Sequence, residues 1–328
     1  MYGPGWWYVR SPLTDPIAIP GQAPAVRLPD PALGYAMVLA AATLFGINGT
    51  VVKVALQGLS AYRLAEIRCL GALVIFLAIV VIDRPERLRT SGRELAYLAV
   101  FGSCAVVFTQ LLYVLAIKRL PVGVALVIIF LGPLLVALWA RFVEHVHLRR
   151  RFWVALGLSI VGMILVVQLW TSFSLDTRGV LFALGGACAY TLYVVYAGHA
   201  VVRRDTISLL MYGFLFATLL WTVVQPWSSF PWHNMTDDVS LLGNLAGTDA
   251  PVWTLVLWLV VLGTVVPFIL VVGSLEHLPA TRVAVSGMLE PVVATVVAYA
   301  WLDETLSGAQ LIGGALVIVA IVLAQTAR

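Results

Sequence analysis

Glu290 lies deep inside an apolar run of the chain, residues 280–301. At 1.5 Å per residue it sits about 13 Å from one end of a helix built on that run. An ionisable group at such depth is costly and by default marks a pathway for solute or protons; water, a partner or a proton must stabilise it. Two chemistries fit. Glu290 either alternates between charged and neutral forms, or stays neutral and hydrogen-bonds a backbone carbonyl left free by Pro291.

Four more polar residues, Asn48, Arg68, Gln110 and Tyr113, fall at similar depth in the first three apolar runs and are compatible with one polar vestibule. Arg68 pairs with Glu66, attracts a carboxylate or snorkels to the interface. Asn48 and Gln110 line the vestibule or bond neighbouring helices. Tyr190, Tyr193 and Trp258 either stack on a solute or pack. Pro133, Pro267 and Pro291 interrupt apolar runs; Pro267 is expected to bend its helix and free a carbonyl. Cys69, Cys104 and Cys188 are isolated in apolar stretches, as small fillers are, and no metal-ligand spacing is present. No HExxH, GxSxG or Walker-type loop occurs, which argues against an enzyme or an ATP-driven pump; no cofactor is expected.

The elements that hold these residues follow from composition. Of 328 residues, 61% are hydrophobic and 11% charged, against about 25% charged in a soluble domain. The surface must therefore be mostly lipid. Crossing the hydrocarbon takes about 20 apolar residues. Ten stretches qualify, at 33–53, 64–82, 95–117, 121–141, 152–170, 179–200, 206–224, 252–275, 280–301 and 306–325. An all-α integral membrane protein of ten transmembrane helices is expected. The Pro-rich segment 1–32 reads as an extended tail, 171–178 as a linker and 225–251 as the long loop.

Loop charges set the orientation. Of the 20 Lys and Arg, fourteen fall on the side of the N-terminal tail and six on the other. Both termini are thus expected in the cytoplasm of a plasma-membrane protein. The 225–251 loop, with Asp237, Asp238 and Asp249 and no Lys or Arg, is placed outside. The basic residues form no long face of the kind nucleic-acid binders use.

A shift of 158 residues superposes Leu120-Pro121 on Leu278-Pro279 and Pro133 on Pro291, with six identities over 21 positions. The matching helices are the fourth and the ninth, so the repeat unit is five helices. An odd unit enters the membrane from opposite sides, giving inverted repeats at 33–170 and 179–325, a mark of secondary transporters.

The segment HLPATRVAVSGMLEPVVATVVAYAWLDETLSGAQLIGGALVIVAIVLA (277–324) resembles the second repeat of an EamA-type member of the drug/metabolite transporter superfamily. LFGINGTVVKVAL (44–56), AEIR (65–68) and RLPVGVALVIIFLGPLLVALWARFVE (119–144) match the first repeat. The resemblance runs from about residue 33 to 325. It implies ten helices, a central cavity between inverted halves, and export of amino acids or other metabolites. The tail and the long loop depart from the compact family pattern. Few deep cations favour a small polar or zwitterionic solute over a sugar phosphate, with protons as the candidate coupling ion. A membrane enzyme using Glu290 or Arg68, or a non-transporting receptor or scaffold, is the competing reading; the sequence leaves the oligomeric state open.

Overall fold

A computed structural model of the chain describes residues 30–83, 85–117, 119–120, 122–168, 176–202, 204–303 and 305–326. Most of the expected N-terminal tail (1–29), the first five residues of the expected linker (171–175) and the side chain of Gln110 lie outside the described residues.

The chain runs through α1 (Pro31–Ala55), α2 (Ala61–Asp83), α3 (Gly92–Val100), α4 (Phe108–Ile117), α5 (Val122–Ile129), α6 (Gly132–Phe142) and α7 (Arg150–Val167). The second part holds α8 (Thr177–Ala200), α9 (Thr206–Val224), α10 (Val252–Val260), α11 (Val266–Ser274), α12 (Ala280–Gly287), α13 (Glu290–Leu302) and α14 (Gly308–Thr326). π-helical turns, Phe101–Val107 and Val261–Val265, join α3 to α4 and α10 to α11. Among the described residues, eight helical units are long and apolar enough to cross a membrane. The expected third and fourth spans fall on two shorter apolar helices, Glu94–Ser103 and Val127–Phe142. The chain is a multi-pass α-helical membrane protein. Val74, Ile82, Leu181, Val223 and Leu311 are among the large apolar side chains left exposed, as lipid contact allows.

Two of the breaks have a common cause. Proline has no N–H for the carbonyl four residues back and its ring crowds that carbonyl. Pro133 and Pro291 act on Ile129 and Gly287, and these are the last residues of α5 and α12. The 158-residue shift carries one break onto the other, and likewise carries the start of α6 onto the start of α13.

Packing repeats in the same way. Asp30 caps α1 and its N–H donates to His277 Nδ1 at 3.1 Å, while Asp176 caps α8 and accepts from Arg119 at 3.0 Å. Gly34 lies against Leu278 and Gly179 against Leu120, each so closely that an added Cβ would stand 2.7 Å from the leucine Cγ. α7 and α14 touch backbone to backbone at Gly162 and Gly313, where an added Cβ would meet the facing carbonyl at 2.7 and 2.5 Å.

Directions follow from residue pairs. Gly34 and Gly46 of α1 face Leu278 and Val293, so α1 runs alongside α12–α13 in the same sense. Gly179 faces Leu120 and Tyr190 faces Gly132, so α8 runs with α5–α6. Gly198 faces Ala280 while the Tyr190 hydroxyl approaches Gly287, so α8 and α12 run in opposite senses. The α5–α6 and α12–α13 units are therefore antiparallel.

The 225–251 segment is more ordered than a plain loop, and it departs from the all-α expectation. Strands β1 (Asp238–Ser240) and β2 (Asp249–Pro251) pair antiparallel, with Val239 opposite Ala250. The side chains of Asn234 and Gln57 clip the segment to the α1 end, through Gly58 O at 2.7 Å and Ser240 O at 2.8 Å. Trp301 Nε1 donates to Leu241 O at 2.8 Å and Asn244 to Ala300 O at 3.1 Å, which fixes it to the end of α13. Long-range hydrogen bonds supply the order that local sequence periodicity does not.

Candidate functional site

The polar residues singled out in the sequence gather into two groups on different sides of α1. Glu290 is the first residue of α13, half-buried, just past the break made by Pro291. Tyr113 on α4 and Tyr190 on α8, both half-buried, lie within electrostatic reach of its carboxyl. The Tyr190 ring covers Gly132 at the start of α6, and its hydroxyl approaches Gly287 at the end of α12. One tyrosine thus touches both broken helices. Gly46 of α1 packs against the Glu290 carbonyl, where an added Cβ would stand 2.9 Å away. An acid, two phenols and two helix breaks from both parts of the chain share this place.

The second group forms at the π turn between α10 and α11. Pro267 has no N–H for the Gly263 carbonyl, and the turn is widened so that Val266 N–H reaches Val261 O, five residues back. Arg68 of α2 donates to that Gly263 carbonyl through Nη2 and to Thr264 Oγ1 through Nε, each at 2.9 Å. Thr264 Oγ1 in turn donates to Leu259 O at 2.8 Å, again five residues back. Asn48 of α1 is buried, and its Oδ1 has no hydrogen-bond partner among the described residues; it lies against Gly263, where a Cβ would collide with it.

Of the readings open for Arg68, the pair with Glu66 is not formed. Residues two apart point to different sides of a helix, whereas residues three apart are neighbours. Glu66 accordingly pairs with Arg63 at 2.6 Å. Tyr193 is buried in an aromatic cluster, stacked on Phe101 with centroids 5.8 Å apart and edge-on to Phe268 at 5.7 Å. Trp258 packs against the main core. Among the described residues neither makes a polar contact to Glu290 or Arg68.

Two arginine clasps, which sequence reading missed, tie α2 to α9 at opposite ends. Arg63 near the start of α2 donates to Ser229 Oγ at 2.6 Å and to Pro226 O at 3.4 Å, with its guanidinium 5.7 Å from the Phe230 ring centre. Arg204, just before α9, bonds Arg87 O and Glu94 Oε1, and lies 4.7 Å from the Tyr212 ring centre. Each arginine holds the chain that follows the other helix. The only sequence signal was an Arg at the start of each apolar run.

An apolar groove of about 280 Å³ opens between α7, α13 and α14, lined by Val166, Val292, Thr295, Gln310 and Gly314. It belongs to neither polar group. Among the described residues, no three His, Cys, Asp or Glu side chains lie together as a metal site would require.

The model of the EamA-like transporter family matches residues 32–168 and again 177–326. The threonine/homoserine exporter RhtA of Escherichia coli K12 is 26% identical over 263 residues, 78% of this chain and 77% of that one. RhtA of Salmonella typhimurium LT2 is 26% identical over 264 residues, with the same coverage. An uncharacterized transporter of Archaeoglobus fulgidus is 26% identical over 255 residues, 76% of this chain and 82% of its own. A solved crystal structure superposes with a TM-score of 0.72 at 17% identity, over 89% of this chain and 96% of that one, which is a likeness of fold.

Proposed function

The chain belongs to the EamA-like transporter family, and from that premise we propose that it is a secondary transporter exporting amino acids or similar small polar metabolites across the plasma membrane. Relatives 26% identical that carry the name threonine/homoserine exporter support the solute class. The proposed architecture is ten crossing helices in two inverted five-helix repeats, with both termini cytoplasmic. Its support is the antiparallel run of α5–α6 and α12–α13, the double match of the family model, and helix breaks that coincide under one shift.

The observation that carries the mechanism is the placing of Glu290. Glu290 opens a half-helix, its carboxyl is within electrostatic reach of Tyr113 and Tyr190, and Tyr190 contacts both broken helices. A proton arriving at Glu290 removes a buried charge, and a proton leaving restores it; either event changes which packing of the two halves is cheaper. Proton movement is in this way coupled to which side the solute path faces. Gln keeps the size and hydrogen-bonding capacity of Glu but has no proton to release. In proteoliposomes loaded with L-threonine, Glu290→Gln is expected to abolish flux driven by a pH gradient while the protein stays folded. Full pH-driven flux in that variant refutes the proton role.

A further inference from the structure

We propose that Arg68 and Asn48, meeting at the π turn between α10 and α11, form a clamp for the head group of an α-amino acid. The guanidinium takes the α-carboxylate and the Asn48 amide oxygen takes the α-ammonium. The clamp rests on the transporter reading above and names the chemistry of its solute.

Arg68 stands seven residues beyond the start of α2, roughly 10 Å along the helix. Its two partners, Thr264 Oγ1 and the Gly263 carbonyl, are neutral. Among the described residues no carboxylate lies within ion-pair distance of it, and the nearby Glu66 is held by Arg63. A cation in an apolar interior without a counter-charge is costly, and neutral hydrogen bonds orient it without cancelling its charge. A guanidinium carries five N–H donors in one plane. With Nε and one Nη2 hydrogen engaged, three remain, and a carboxylate fits such a fork with two parallel bonds.

Asn48 supplies the complementary half. Its side-chain oxygen is buried and has no donor among the described residues, a state that costs a polar group much of its hydration. An ammonium is a strong donor for that oxygen. Gly263 stands between the two groups with no side chain: its carbonyl holds Arg68 while its Cα lets Asn48 close in. Thr264, itself donating to Leu259 O, fixes the guanidinium from the other side. The site therefore offers a cation and an acceptor oxygen that meet at one glycine, the two complementary groups that an acid and an amine on a single carbon require. A sugar phosphate, carrying up to two negative charges and no ammonium, would meet only one cation here.

The test uses the full chain in nanodiscs, with binding of three probes read by intrinsic tryptophan fluorescence. The probes are L-threonine, L-threonine amide, which lacks the carboxylate, and N-acetyl-L-threonine, which lacks the ammonium. Wild-type protein is expected to bind L-threonine about tenfold to a hundredfold more tightly than either derivative, the range for a lost hydrogen bond to a charged group. Arg68→Lys, which keeps the charge but not the fork, is expected to lose most of the preference for acid over amide. Thr264→Val, which removes only the orienting hydroxyl, should weaken that preference if Arg68→Lys fails to fold. Asn48→Ala is expected to lose the preference for free amine over N-acetyl. L-threonine bound tightly by wild type, with the amide bound equally well or with discrimination intact in Arg68→Lys and Thr264→Val, would overturn the clamp and leave the transporter reading standing. Failure of wild type to bind any of the three overturns the amino-acid reading, and the clamp with it.

Discussion

Arg68 Nη2 donates at 2.9 Å to the carbonyl of Gly263, the one carbonyl that Pro267, four residues on, cannot satisfy. A proline in α11 thus prepares an acceptor for a cation on α2, across 195 residues of chain. Helix breaking and cation placement are two parts of one arrangement.

Pro267→Ala tests that link. Alanine restores an N–H and removes the ring that crowds Gly263, so the turn can close towards α-helical register. The variant is expected to fold at least as stably as wild type in a detergent thermal-unfolding assay. L-threonine counterflow should fall by about tenfold, the cost of one hydrogen bond to a charged group. Unchanged counterflow would show that the freed carbonyl plays no part.

Gly263→Ala places a Cβ where Asn48 Oδ1 now lies. Overpacking of this kind typically costs about 1–3 kcal/mol. Thermal unfolding should show the loss, and Asn48→Ala in the same chain should recover part of it, since the two residues are in contact. Additive effects in the double variant would contradict the contact.

The Arg119–Asp176 pair predicts a pH dependence. The Arg119 guanidinium at 3.0 Å, helped by the Arg178 backbone N–H, holds the Asp176 carboxyl below the usual carboxylate range. A depressed pKa contributes stability above the unfolded value near 3.9, and that contribution is lost as pH falls through the lower folded value. Asp176→Asn keeps a capping side chain at the start of α8 but loses the charge. Its Tm should lie slightly below wild type at pH 7 in low salt, and the charge-dependent part of the gap should close as pH falls through the lowered folded value. Both partners are exposed, so salt should also close it. A gap of unchanged size from pH 7 into the acid range would show that the Asp176 charge is not its source.

Orientation is read by chemical labelling. Cysteine at Thr248, exposed in the clipped segment, should react with an impermeant maleimide added outside cells. Cysteine at Arg89, exposed on the opposite face, should react only after permeabilisation. The reverse pattern would invert the topology and refute the charge argument behind it.

Helical membrane character was legible in the sequence because lipid leaves a chain few options: backbone groups must be satisfied within each span, and side chains must be apolar. Two helix ends were legible for a similar reason, since Pro133 and Pro291 act on carbonyls only four residues away. Local rules reach that far. They did not decide among the readings open for Arg68, of which pairing with Glu66 was one; neighbours on a helix stand three or four residues apart, and Glu66 goes to Arg63. Nor did they separate Tyr113, which lies within electrostatic reach of Glu290, from Asn48 and Arg68; equal depth in the membrane says nothing of direction around a helix axis. The 225–251 segment gave no periodic signal at all. Its order comes from side chains at 57, 234, 244 and 301 that bond carbonyls far away in sequence. Which polar groups would meet was settled by the rotation of each helix about its own axis, and that rotation is fixed only when glycine faces such as Gly46, Gly162 and Gly263 find the surfaces they fit.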